Sequence, residues 1–376
     1  MVKLDNNFIT EFFQITTTLG TITARNNSIP QIKRASFPRA NALSVLDLSF
    51  NNISSIESEA FKYLYILSIL NLRGNRLTDI PKAELKDHVT MKNLDLGQNL
   101  ITTVDFDSFS GLRLVNLSLD HNKITTFNET ALRGLSEATE LRIGGNQLAQ
   151  LDSVLLKGLS AVNFVDVGGN LFTDIPSDAF EDLYSLQKID LSKNKLATIP
   201  RRIFGKNAFL TEVDFSGNQI RTIPTHIDEN PGHLKVLNFS NNLLVEVLGT
   251  PNLPYVEKLD LSFNAFQKLS LNTVSKMVVL KELHMNDNPM EILSDGSLTS
   301  NLDFASLDRT MLHSVPFSLL LALNQENSIL SFDNVTIQCD CRAVGLQEFL
   351  RLKQNTSRNA CSLPPALAGT STVLRP

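Results

Sequence analysis

The chain has no tryptophan and only three cysteines among its 376 residues, and all three lie at or beyond position 339. So sparse a set excludes a disulfide-dense scaffold, and its odd number leaves one thiol without a partner inside the chain. No stretch of eighteen apolar residues occurs, so no membrane-spanning helix is written in it. The N-terminus lacks the charged and then apolar pattern of a secretory leader. Basic residues are not in excess: 34 Lys and Arg against 39 Asp and Glu give a net charge of −5. That balance argues against nucleic acid or an anionic membrane as the main partner. The six histidines are scattered without metal-ligand spacing, and neither Gly-x-Ser-x-Gly nor His-Glu-x-x-His occurs. Gly144-Gly145 and Gly168-Gly169 are followed by neither a helix pattern nor a lysine, so they do not form a phosphate loop. No catalytic residue, metal site or cofactor is expected.

What the chain does have is one apolar phrase, repeated. Leu43-x-x-Leu46-x-Leu48-x-x-Asn51-x-Ile53 is followed by Leu67-x-x-Leu70-x-Leu72-x-x-Asn75-x-Leu77, and the phrase continues. Its asparagines are Asn27, Asn51, Asn75, Asn99, Asn122, Asn146, Asn170, Asn194, Asn218, Asn242, Asn264 and Asn288, with Thr310 next in register. Of the twelve steps, nine are 24 residues, one is 23 and two are 22. Such a period is the signature of a leucine-rich repeat solenoid, in which no coil buries its apolar face alone and stacking builds a continuous core. In each coil Leu-x-Leu makes a short strand with alternate side chains inward and outward. A second row ten residues after the asparagine (Phe37, Phe61, Leu85, Phe109, Leu132, Leu156, Phe180, Phe204) predicts a spine under the convex side. The row breaks at Asp228, so the convex side is expected to be irregular over about 226–256, where Asn230-Pro231-Gly232 and Pro251-Asn252-Leu253-Pro254 read as turns.

The 24-residue step, the phenylalanine spine and Cys339-Asp340-Cys341 after the last repeat resemble the extracellular leucine-rich repeat proteins of animals. That family includes Toll-like receptors, Slit-type guidance proteins and neuronal adhesion receptors. The resemblance implies an α/β fold: a curved solenoid with a parallel concave sheet, an irregular or short-helical convex side and a cysteine-rich C-terminal cap. It implies about 14 repeats over 1–334, the first incomplete, and a cap over 335–376. It also implies that each asparagine amide turns inward to satisfy buried backbone groups. In the family's cap the first cysteine pairs with the third, which carried over joins Cys339 to Cys361. Cys341 would then pair with a cysteine beyond this chain, so the cap is expected to be cut short. Val2-x-Leu4-x-x-Asn7-x-Ile9 opens the chain inside a strand with no N-terminal cap before it, so either the start is trimmed or the first strand is shielded by something outside this chain. A trimmed ectodomain accounts for the missing leader and anchor. The compartment is expected to be oxidising and extracellular, secreted or at the outer face of the plasma membrane.

Seven Asn-x-Ser/Thr sequons are present, a number that composition alone nearly explains. Asn52, Asn116, Asn128, Asn238 and Asn355 are the candidate glycosylation sites, and Asn116 and Asn238 fall on outward positions of the sheet.

A sheet without a pocket recognises macromolecules, so the expected partner is an extracellular protein, with a homo-oligomer as a further option. The expected contact face runs through Glu140, Arg142, Phe164, Asp166, Lys188, Asp190, Glu212 and Asp214, beside glycine pairs that would leave bare backbone. Glycans at Asn116 and Asn238 would fence that window. A second patch holds Phe263, His284, Asp287 and Phe304, and Phe50 would add a third apolar point if it faces outward. Asp47, Asp95, Asp166, Asp190, Asp214 and Asp260 share one phrase position and read as solvated surface, as do the pairs Asp120/His121 and His284/Asp287. The functional expectation is a ligand-binding receptor or adhesion ectodomain, in neuronal guidance or synapse adhesion first. The alternatives are a Toll-like innate-immune receptor and a secreted matrix scaffold that associates with itself.

Overall fold

The computed structural model describes residues 1–11, 19–37, 42–228, 233–335, 337, 346 and 349. Cys339, Cys341, Cys361 and Asn355 lie outside the described residues, and so does almost all of the expected cap. The chain divides into two compact units, Met1–Asp190 and a second that begins at Leu191.

In the first unit the recurring Leu-x-Leu forms three-residue strands, Thr21–Thr23, Val45–Asp47, Ile69–Asn71, Asn93–Asp95, Asn116–Ser118, Glu140–Arg142, Phe164–Asp166 and Lys188–Asp190, after a shorter Val2–Lys3. Neighbours pair in parallel and in register, one coil against the next: Leu46 faces Leu70, Leu94 faces Leu117, Leu141 faces Val165. The middle residue of each three-residue strand is buried, as period-two alternation requires. The second unit repeats the arrangement with Glu212–Asp214, Val236–Asn238, Lys258–Asp260, Glu282–His284, Phe304–Ser306 and Ile329–Ser331. Across the coils run two-residue parallel ladders, such as Thr103–Val104 with Thr126–Phe127 in the first unit and Thr222–Ile223 with Glu246–Val247 in the second. Helix is scarce among the described residues: α-helical Lys82–Leu85 and Phe317–Ala322, and short 3-10 turns. One of those turns, Thr225–Asp228, occupies the place where the spine row breaks.

The asparagine ladder satisfies the backbone at each turn. Asn146 donates to Leu119 O at 3.1 Å, Ile143 O at 3.0 Å and Gly144 O at 3.2 Å, and its Oδ1 accepts Ile124 N–H at 3.0 Å. One amide thus pairs four buried groups from two coils, groups that would otherwise lose solvation without compensation. At the last position of the ladder the Thr310 hydroxyl donates to Leu307 O at 2.7 Å, a smaller version of the same bond.

All eight spine residues are buried. Phe37 and Phe61 lie with ring centroids 6.0 Å apart, and His88 meets Phe61 edge-on at 6.4 Å. In the second unit a further aromatic stack forms at the strand ends, with Phe215 parallel to Phe239 at 5.3 Å. That row replaces the leucine of the phrase, so its phenylalanines are core as well.

Candidate functional site

The outward side chains of the first unit's sheet carry a connected set of polar and aromatic contacts. At its centre the Arg142 guanidinium lies over the Phe164 ring, 4.9 Å from the centroid, and the same guanidinium pairs with Glu140. The register explains the contact. Glu140 pairs with Phe164 and Arg142 with Asp166, so Arg142 crosses diagonally to the next strand. A cation held over an aromatic face is partly desolvated and fixed in direction before any partner arrives. Lys188 and Asp190 follow opposite Phe164 and Asp166 in the next coil. Glu212 and Asp214, expected on the same face, belong to the second unit, where Asp214 accepts Ser216 N–H at 2.7 Å and the Asn238 amide at 3.2 Å.

The aspartate row is more than the solvated surface that its wording implied. In the first unit Asp47, Asp95 and Asp166 each accept the backbone N–H two residues ahead, from Ser49 at 3.0 Å, Gly97 at 2.9 Å and Gly168 at 3.0 Å. Asp260 does the same with Ser262 at 2.9 Å in the second unit. Asn71 and Asn238 fill the position equally well, on Arg73 N–H at 3.0 Å and Ser240 N–H at 2.9 Å. A short polar side chain here makes the Asx-type bond that turns the chain out of the strand. Burial pushes the Asp95 and Asp166 carboxyls up from their ordinary range.

Asp120 is not a surface residue, contrary to the sequence reading; it is 6% exposed. Arg73 grips it with two bonds, Nη1 to Oδ1 at 2.9 Å and Nη2 to Oδ2 at 2.7 Å, while the Ser118 hydroxyl and His121 Nδ1, at 2.8 Å, complete its shell. Burial opposes the charge, but these donors outweigh it and hold the carboxyl far below its ordinary range. Arg73 starts two coils earlier and reaches across the coil between, over Gly97. A Cβ at Gly97 would stand 2.7 Å from Asp120 Oδ1 and closer still to Arg73. The glycine is therefore the gap through which the bridge passes.

The paired glycines are likewise occupied rather than bare. A Cβ at Gly144 would meet the Asp166 carboxyl carbon at 2.8 Å, and one at Gly145 would meet the His121 ring at 3.0 Å. Gly169 packs onto the Gly145 backbone, within 3.2 Å of a Cβ built there. The small residues make room for neighbouring polar side chains, which form the rim of a depression of about 600 Å³ whose lining includes Arg73, Asp95, His121, Arg142 and Asp166. Its arginines are already paired within the face, Arg73 with Asp120 and Arg142 with Glu140, and Asp166 feels the Asp190 and Asp120 charges as well as that of Arg142. This arrangement presents a fixed cation–aromatic pair beside an acidic hollow, a geometry for recognition. Among the described residues no group of three His, Cys, Asp or Glu could hold a metal ion.

In the second unit, His284 and Phe304 are in ring contact at 5.0 Å, and Glu282 Oε2 lies 3.3 Å from His284 Nε2. Asp287 bonds Arg309 Nη2 at 2.6 Å. The His284/Asp287 pair read from sequence is thus two separate contacts. Phe263, 47% exposed, adopts a left-handed φ of 54°, and Phe50, 48% exposed in the first unit, does the same and covers Gly74. Phe50 does face outward.

The sequence reading missed Arg73, Gly97 and Asp120 as a unit. The signal was present as a column: all three occupy the place two before the asparagine in successive phrases.

The leucine rich repeat family pattern matches residues 17–77, 66–122, 89–148 and 161–220, together more than half of the chain. Among proteins with curated descriptions, none matches the chain in sequence. The fold is similar to that of the APL1 leucine-rich repeat domain, with 18% identity, a TM-score of 0.62, and coverage of 84% of this chain and 91% of that one. It is similar to a chain of the Toll–Spatzle complex of Drosophila, with 18% identity and a TM-score of 0.63; 92% of this chain is covered, and it spans 54% of that chain. A leucine-rich repeat protein of Leptospira interrogans is similar over 91% of this chain and 83% of its own, with 23% identity and a TM-score of 0.63. Pattern, strand and asparagine ladder agree, and the chain belongs to the leucine-rich repeat family.

Proposed function

We propose that this chain is the recognition module of an extracellular leucine-rich repeat receptor or adhesion protein, and that it binds a protein partner on the sheet face of its first unit. The observation that carries the reading is Arg142 stacked on Phe164 at the rim of the acidic hollow. Exposed arginine and aromatic anchors dominate protein interfaces when a partner buries them. The family's fold typically serves as a protein-interaction scaffold rather than an enzyme. The carboxylates lining the hollow (Asp95, Asp120, Glu140, Asp166) outnumber its two arginines, so the complementary surface is basic or mixed.

The Toll–Spatzle neighbour, described as a hub in development and innate immunity, supports an innate-immune role for a chain of this fold. The neuronal guidance and adhesion reading rests on the resemblance to the extracellular animal family, which includes neuronal and immune receptors alike. The Cys339–Cys361 disulfide, a cap over 335–376 and secretion belong to the same proposal.

The test displays the folded chain as multimers against an array of extracellular proteins, with an Arg142→Ala/Phe164→Ala variant of unchanged melting temperature alongside. A partner whose affinity drops about tenfold or more in the variant supports the reading. A partner held equally by both forms moves the site off this face. Capture of the chain by itself alone favours the self-associating scaffold.

A further inference from the structure

The sequons stand in different surroundings. On the first unit's sheet the Asn116 amide donates to Asn93 Oδ1 at 2.7 Å, and on the second unit's sheet the Asn238 amide donates to Asp214 Oδ2 at 3.2 Å. Both side chains are half-buried between parallel strands, so a sugar on either nitrogen would have to stand over the neighbouring strand's side chains. Asn128 is exposed, and only its oxygen is engaged: Oδ1 accepts both the backbone N–H and the hydroxyl of Thr130, each at 3.2 Å. Its backbone is fixed, with its N–H on Val104 O at 2.9 Å, so the side chain has a rigid base.

Asn128 also stands at the rim of a groove of about 520 Å³, built from three successive coils of the first unit. Leu151, Leu155 and Pro176 are among its apolar lining residues, and Gln150, Asp152 and Thr173 add amide, carboxylate and hydroxyl groups. A mixed apolar and polar lining is the general chemistry of a small-ligand site, and it suits a pyranose, whose C–H face is apolar and whose edge is hydroxylated.

We infer that Asn128 carries an N-linked glycan whose first N-acetylglucosamine lies in this groove, on the flank of the first unit and away from its recognition face. The inference rests on the extracellular reading. In the transfer, Asn128 Nδ2 bonds to the anomeric carbon of an oligosaccharide carried on a polyprenyl diphosphate. The bond from that carbon to the diphosphate oxygen breaks, the diphosphate leaves with the electron pair, and the amide gives up one proton to a base of the transferase.

The experiment secretes the full chain from a eukaryotic host, maps all sequons by glycopeptide mass spectrometry, and trims glycans enzymatically to one N-acetylglucosamine. Asn128 is expected to be modified, and the amides of 148–155 are expected to exchange about threefold more slowly than in Thr130→Ala, which lacks the sequon. Thr130→Ser, which restores the sequon, should restore the protection. A bare Asn128 with other sequons occupied overturns the inference and leaves the extracellular reading standing. A secreted chain bare at all seven sequons overturns both. A glycan at Asn128 with unchanged exchange at 148–155 overturns its seat in the groove.

Discussion

Asp120 is held ionised by Arg73, Ser118 and His121, so its carboxyl titrates below its unfolded value of about 3.9. Such a group stabilises the fold fully above that value and loses its contribution as pH falls through the depressed one. Asp95 and Asp166 have the opposite sign: burial raises them, so their ionised forms oppose folding until acid protonates them. Thermal midpoints measured from pH 7 downward should therefore hold or rise slightly through the carboxylate range and then fall. In Asp120→Asn the fall at low pH should be much reduced. At neutral pH this variant should lose about 1–3 kcal/mol, because the half-buried Arg73 guanidinium loses its two-bond partner and keeps only Asp95, at 3.5 Å. Gly97→Val should break the same bridge from between, with a similar loss in chemical denaturation, since any Cβ there collides with both partners. The sequence shows Arg73, Gly97 and Asp120 in one column of successive phrases, but not that the arginine and the aspartate, 47 residues apart, meet over the glycine between them.

At the scale of the coil, the legible parts were those set by local periodicity. Leu-x-Leu places one side chain inward and its neighbours outward, and the asparagine recurs wherever a strand turns into buried backbone. Asn146→Ala would strand Ile124 N–H and three carbonyls, and unfolding in denaturant should show a loss of about 2–4 kcal/mol. Phe61→Ala removes a ring packed between Phe37 and His88 and should cost about 3–5 kcal/mol by the same measurement. The aspartate row was misread because one phrase position serves two purposes. Asp, being short and an acceptor, suits a half-buried strand end, and it also closes the turn onto the N–H two residues on. Composition alone does not separate these uses, since Asn71 performs the second without a charge.

At the scale of the molecule, stability in a repeat protein is close to a sum over coils and their nearest-neighbour contacts. Asn51→Ala and Asn146→Ala, four coils apart within the first unit, should therefore add in denaturant unfolding to within about 0.5 kcal/mol. Arg73→Met and Asp120→Asn should not add, because each alone already breaks the bridge that joins their coils across a third. The same linear build shapes function. A sheet of short strands offers a broad face rather than an enclosed cavity, so recognition depends on which side chains neighbouring coils place side by side.

By itself the sequence determined the repeat, the strand positions, the inward residues and the spine, because each follows from spacing within one coil. It also placed Arg142 and Phe164 on one face. Only the tertiary structure decided that this arginine lies on that ring, that Asp120 is buried, that the glycines are filled by Asp166 and His121, and that Asn128 faces a groove. Those contacts join different coils, and their geometry depends on how each coil stacks on the next, which spacing along the chain does not encode.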